Sequence, residues 1–223
     1  MDLDEAIHGR RSIRKYKADV RIPQEHIEAI IEAGCWAPSS ANTQPWRFIV
    51  VTDRETIASM AKVVYDKFQS VSKEALHKGE TRVAAFARFV RGHGSFFADA
   101  PLVIVACAKP FEFPLLKMPT STLVEMFREL EHMDVDVEPI VVDTVQKSVA
   151  MAVQNVVLKA HSLGYGSCVM DAPIAVERTL RAMLNIEDEL QLVMVIPIGV
   201  PESTRVEAPK RLPVEEVIRF HQP

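Results

Sequence analysis

Cysteine is scarce in this chain: three residues in 223, Cys35, Cys107 and Cys168, far apart and with no CxxC pair. An odd, scattered set argues against a disulfide framework or a cysteine metal cage, and reads as buried reduced thiols. Glycine is thin as well, at 8 residues. Gly164-x-Gly166 and Gly92-x-Gly94 both lack the third glycine of a dinucleotide fingerprint, and neither follows a strand and opens a helix. There is no Walker loop, no HExxH and no GxSxG. An excess of one charge is missing too: 26 Lys and Arg against 30 Asp and Glu leave a formal net charge of −4, so no global field points to nucleic acid. The longest apolar runs, at 101–108 and 192–200, fall far short of the roughly 18 residues that span a bilayer. The opening MDLDEAIHGRRS lacks an apolar signal core, and a cytoplasmic location is expected.

What is present suits one domain over residues 1–223. A short helix is expected at 3–9. A second helix follows at 22–34, with Pro23 in its first turn and Gly34 as its stop. WRFIVV at 46–51 reads as a buried strand, after which Asp53 caps a helix at 54–68 and another helical stretch runs over 71–91. RGHGSFFADAP, 91–101, breaks that pattern and makes His93 an exposed turn residue. Residues 102–108 form a second buried strand. Asp143 caps and Gly164 stops a long apolar helix, followed by a short strand at 167–170, a helix at 174–184 and a strand at 191–200. Pro197 places that last strand at an edge or at the end of its paired region. Four prolines interrupt 110–139, so a lid or insertion is expected over about 110–140.

Two stretches carry binding chemistry. Arg10, Arg11, Arg14, Lys15 and Lys17 crowd the end of the first helix, either satisfying its dipole or clamping a phosphate, to which guanidinium presents a planar fork. Residues 34–51, GCWAPSSANTQPWRFIVV, hold a polar loop between two core elements, a common site location. With no catalytic signature, such a protein draws its reactivity from a cofactor.

RRSIRKY (10–16), APSSANTQPWRF (37–48), LGYGSCV (163–169), IGVP (198–201) and PKR (209–211) resemble the flavin-dependent nitroreductase family, in its order and at its spacing. The resemblance implies an α+β fold, a central mostly antiparallel sheet flanked by helices, in an intertwined homodimer with two FMN sites at the interface. By the family pattern Arg10, Ser12 and Arg14 hold the phosphate and ribityl chain, with Arg11 beside them and Arg211 and Lys210 assisting. Pro38, Ser39, Ser40 and Asn42 pack on the flavin of the other subunit. Gln44 and Trp46 fit that pattern, with core packing expected for Trp46. Met170, Asp171 and Ala172 stand where members offer backbone N–H groups to the ring, although many have glycine in place of Asp171. No side-chain acid, base or metal is required. NAD(P)H and a flat acceptor, a nitroaromatic or quinone, would use one open face in turn, a ping-pong cycle. Tyrosine dehalogenases and flavin-degrading enzymes share the superfamily. A non-enzymatic flavin sensor, or a domain whose arginines are only surface charge, are the other readings.

Overall fold

The computed structural model describes residues 1–223 apart from 18, 114–117, 130–136, 204–205 and 222–223. A first helix α1 (Leu3–Gly9) is followed by α2 (Gln24–Cys35), β1 (Trp46–Val51), α3 (Arg54–His77), α4 (Thr81–Ser95) and β2 (Leu102–Ala108). Then come the two-residue strands β3 (Glu112–Phe113) and β4 (Met118–Pro119), α5 (Thr120–Glu129), α6 (Val137–Ser162), β5 (Gly166–Ser167), α7 (Glu177–Leu184), β6 (Gln191–Gly199) and α8 (Val214–Val217). Four strands make one sheet in the order β1-β2-β6-β5, with every strand pair antiparallel. Helices cover both of its faces. Strand β2 shows why its sequence is apolar throughout: Val103, Val105 and Cys107 face a core shared with α3 and α7, while Leu102, Ile104 and Ala106 face one shared with α2 and α6. Burial pushes the Cys107 thiol up to about 11.

Strand β6 keeps the same alternation only by spending one residue. Ala106 pairs with Met194 and Cys107 with Leu192, so Val193 is an extra residue, and beyond it the faces exchange. Leu192 and Val195 accordingly share one core, Val193 and Ile196 the other. Pro197 is not on an edge strand, because β6 lies between β2 and β5. It is tolerated where pairing on the β5 side is broken: Gly166 and Ser167 pair with Gly199 and Ile198, Met170 bridges Val195, and between them the Pro197 carbonyl takes the Cys168 N–H at 3.3 Å. Strand β1 is at an edge of the sheet, buried at Trp46 and Val51 but exposed or half-exposed between, rather than a fully buried strand.

Glycines explain three further departures from the sequence reading. The break between α3 and α4 falls at Gly79, whose φ of 77° suits the left-handed turn, and not near residue 69, where nothing stops the helix. Helix α4 runs through Gly92 and Gly94, carrying exposed His93 on a helix instead of a turn; a β-carbon at Gly94 would lie 3.0 Å from Ala172 Cβ. Gly34 lies inside α2 rather than ending it, because a β-carbon there would approach Val156 Cγ2 of α6 to 2.9 Å. Pro23 is the residue before that helix. Helix α6 starts at Val137, not at Asp143, and has Pro139 in its first turn, where a missing N–H costs no bond. Asp143 pairs instead with Lys147 at 3.7 Å. Of the thiols, Cys107 and Cys168 are buried as expected, but Cys35 is exposed.

Part of the expected lid lies outside the described residues. The described part is the β3–β4 pair and α5, which packs on α6. No helix is long and apolar enough to cross a membrane, and no group of His, Cys, Asp and Glu could hold a metal, among the described residues.

Candidate functional site

Helix α1 is short and held by its ends. Asp2 accepts the Glu5 N–H at 2.8 Å and Glu5 accepts the Asp2 N–H at 3.0 Å, a capping box. At the other end, Arg11 Nη1 donates to the His8 carbonyl at 2.5 Å and the Arg10 carbonyl at 2.9 Å. One basic residue therefore serves the helix dipole. The side chains of Arg10, half-exposed, and Arg14, exposed, take part in none of the described ion pairs or hydrogen bonds.

The chain after α1 lies along the β5 end of the sheet. Ser12 bridges Ser167 in parallel, Ile13 donates its N–H to the Ser167 carbonyl at 2.9 Å, and Lys17 donates to Val200 at 2.8 Å. Tyr16, buried, donates its hydroxyl to the Ile13 carbonyl at 2.6 Å, and burial pushes its pKa far up. Arg10, Ser12 and Arg14 all gather about buried Cys168: burial raises that thiol's pKa, while Arg14, a hydrogen bond with Ser12, and Arg10 act against the rise. A cavity of about 250 Å³ opens beside this segment, lined by Arg10, Arg11, His161, Gly164, Ser167 and Val206 among others. Gly164 has a φ of 87°, which lets the chain turn back from α6 into β5.

The loop at residues 38–44 holds three non-glycine residues in the left-handed region, Ala41 (φ 49°), Asn42 (54°) and Gln44 (46°). Such positions cost of order 1 kcal/mol or more each and persist only where surroundings fix them. Here Ser39 Oγ accepts the Gln44 N–H at 3.0 Å, its carbonyl accepts the Asn42 N–H at 3.1 Å, and the Ser40 carbonyl accepts the Thr43 N–H at 3.0 Å. Ser148 of α6 anchors the loop by accepting the Ser40 N–H at 3.4 Å. Pro38 and Asn42 are exposed, whereas Trp46 is buried in the core.

Ser148 and His161 stand 13 positions apart on one helix, about 20 Å at the α-helical rise. The loop therefore meets α6 near the middle of that helix, whereas the arginine cluster meets it in the last turn, roughly two to four turns further along.

A second cleft, about 500 Å³, lies where Asp171 and Ile174 meet Gln146 and Lys147 of α6 and the start of β6. Met170 both donates to and accepts from Val195 at 3.0 Å, so its backbone is committed to the sheet. Asp171, exposed, precedes a 3₁₀ turn at Ala172–Val176, where the first N–H groups have no partner within the turn. The stretch from residue 164 to 174 thus borders both cavities.

The nitroreductase family model matches residues 7–200. The chain belongs to that family. A relative from Methanothermobacter thermautotrophicus, provisionally named NADH dehydrogenase/NAD(P)H nitroreductase, is 29% identical over 203 residues, 90% of this chain and 78% of its own length. The solved structure of a BluB-like flavoprotein from Clostridium difficile 630 is 26% identical, with a TM-score of 0.84 and full coverage of both chains. A nitroreductase-type structure from Desulfovibrio desulfuricans, solved in complex with FMN, shares the fold at 23% identity and a TM-score of 0.62, covering 100% of this chain and 98% of its own.

In this member of the family, Lys210 and Arg211 are exposed on the tail that follows Val206, which lines the smaller cavity. Every described residue from 206 to 221 is exposed, including Leu212, Val214, Val217, Ile218 and Phe220. Sequence reasoning missed His161 and Ser148, both of which α6 positions. The only signal was their place on that helix, read there as apolar.

Proposed function

We propose that this protein is an FMN-dependent NAD(P)H oxidoreductase that reduces nitroaromatics, quinones or related flat acceptors, working as a homodimer with two shared sites. The observation that carries the reading is the cation cluster. Arg10 and Arg14 take part in no described ion pair, and Arg11 Nε is buried without a hydrogen-bond partner. Guanidinium groups left unpaired in this way fit a phosphate dianion. Arg10, Arg14 and the Ser12 hydroxyl would hold the phosphate and ribityl chain of FMN. The N–H groups of Asp171 and Ala172 would face its ring, with Met170 fixing that segment to β6. Lys210 and Arg211 would reach a phosphate from the tail. FMN, when bound, supplies the hydride exchange between NAD(P)H and the acceptor. The chain's own work is to bind the phosphate, orient the ring and exclude water.

Two features support a shared site. The loop holding Pro38, Ser39, Ser40, Asn42 and Gln44 meets α6 at Ser148, about 20 Å along that helix from His161 beside the arginines, so on this reading it serves the partner's flavin. The tail exposes Phe220 at 76%, Leu212 at 67% and Val217 at 66%, apolar surface that a second copy would cover. The segment with β3, β4 and α5 is the proposed lid that selects the acceptor.

Purified protein should be yellow, with about one FMN per chain, and should oxidise NADH or NADPH when a nitroaromatic or quinone is supplied. Colourless protein that neither binds FMN nor oxidises either nucleotide overturns the reading. Stopped-flow mixing with NAD(P)H separates enzyme from sensor, since a sensor's flavin is reduced slowly or not at all. Halide release from halotyrosines, or loss of the flavin spectrum in air, would place the activity in the other branches of the superfamily.

A further inference from the structure

This inference rests on the proposed FMN site at Arg10. The cavity of about 250 Å³ beside that arginine is smaller than the roughly 300–1,000 Å³ of pockets that enclose a whole drug-sized ligand. It suits an anionic end group. His161, in the last turn of α6, lines it, and the ring is pressed against the end of α1: a β-carbon on Gly9 would lie 2.8 Å from His161 Nε2. The imidazole is only partly exposed and takes part in no described hydrogen bond. Arg11, on the same wall, has its Nη1 spent on helix carbonyls and its Nε buried without an acceptor. A half-buried imidazole beside two guanidiniums, one with a buried N–H unanswered, is an arrangement that an anion completes.

We propose that His161 is a phosphate-binding residue, joining Arg10 around the phosphate end of FMN and taking up a proton from solvent as the phosphate enters. Without an anion, burial and then the Arg10 and Arg11 guanidiniums hold the imidazole pKa below its ordinary value. A phosphate dianion reverses the electrostatic part of that penalty, so the protonated ring and the anion stabilise each other.

The groups facing the ring are consistent in sign. Arg10 and Arg11 come from the end of α1, Met1 from the chain start, and Ser167 and Ser203 from β5 and the tail, with no carboxylate among the described lining residues. Tyr165 turns its hydroxyl to His26 Nδ1 at 2.7 Å. Asp2 and Glu5 close the capping box, Asp4 and Glu202 are exposed, and Lys159 on α6 adds a further cation in the same turn. The phosphate's second ionisation, near pH 6, works in the opposite direction, because the ligand sheds charge as pH falls. Protonated His161 offsets that loss.

The test is titration of flavin-stripped protein with FMN, followed by quenching of flavin fluorescence, at roughly pH 6 and pH 8. Wild type is expected to bind FMN about tenfold more tightly than H161Q at the lower pH and within about twofold of it at the higher. H161R, with a cation that does not titrate, should keep tight binding at both. Riboflavin, lacking the phosphate, should bind all three alike. Equal FMN affinities for wild type and folded H161Q at both pH values overturn the proposal. Should H161Q fail to fold, H161R decides, since a pH profile for it that parallels wild type overturns the proposal equally. Absence of FMN binding by wild type itself is a different failure, that of the cofactor reading, and takes this inference with it.

Discussion

Ile13 occupies the space that a side chain on Gly166 would need: a β-carbon there would lie 2.4 Å from Ile13 Cγ1 and 2.7 Å from its Cβ. The glycine thus lets the segment bearing Arg10, Ser12 and Arg14 lie directly on β5. Gly166→Ala should cost about 1–3 kcal/mol through overpacking. For a chain of this size that lowers Tm by roughly 2–4 °C per kcal/mol. At the proposed FMN site it should also weaken FMN binding, because the arginines ride on the displaced segment. Adding Ile13→Ala to Gly166→Ala should recover part of the loss, and calorimetry of the four-member cycle checks that coupling.

Arg10→Ala and Arg14→Ala each remove a cation proposed to meet phosphate. Each should weaken FMN binding about tenfold or more, with riboflavin affinity unchanged. Equilibrium dialysis with both ligands measures this. Equal weakening of both flavins would mean that the arginines support the fold and not the phosphate.

Ala41 carries the left-handed strain of the 38–44 loop without a side chain that reaches out of it. Ala41→Gly should relieve on the order of 1 kcal/mol of that strain. Some of the gain is returned as greater freedom of the unfolded chain. The expected result is a Tm unchanged or slightly raised, together with slower steady-state turnover as the loop loses its fixed shape.

Asp53 caps α3, accepting the Thr56 N–H at 2.8 Å and its hydroxyl at 2.7 Å. Those bonds, the hydroxyl first, hold the carboxyl pKa below its ordinary value. A depressed folded-state pKa gives stability that is present above the unfolded value and lost as pH falls through the folded one. Asp53→Ala should therefore lower Tm at neutral pH, and the gap from wild type should close in acid. Thermal melts at a series of pH values show this directly.

How much was legible in the sequence depended on whether a residue's role was local. Strands β1 and β2 were bounded correctly, at 46–51 and 102–108, because continuous β-branched and aromatic runs bury themselves wherever they fall. The antiparallel sheet and the family followed from motifs spread over most of the chain. Gly34 and Gly94 were misread because their purpose is tertiary: glycine reads as a stop in sequence, yet both are in helices pressed against Val156 or Ala172, while Gly92 lies in α4 with nothing near where a β-carbon would stand. Pro197 was assigned to an edge or the end of a paired region for a sound reason, the missing donor, but only the short reach of β5 shows how an interior strand tolerates it. His161 was invisible because nothing near it in sequence is basic enough to announce a cavity; α1 folding back across α6 creates one.

The separation of Ser148 from His161 along α6 has a genetic counterpart. Under the shared-site proposal, a chain lacking Arg10 and a chain with a disrupted 38–44 loop are broken in different halves of the same site. A mixed dimer then contains one site with both faults and one with neither. Random reassortment of equal amounts would restore about a quarter of all sites. Two proteins that each fail to hold flavin would turn yellow when unfolded together and refolded.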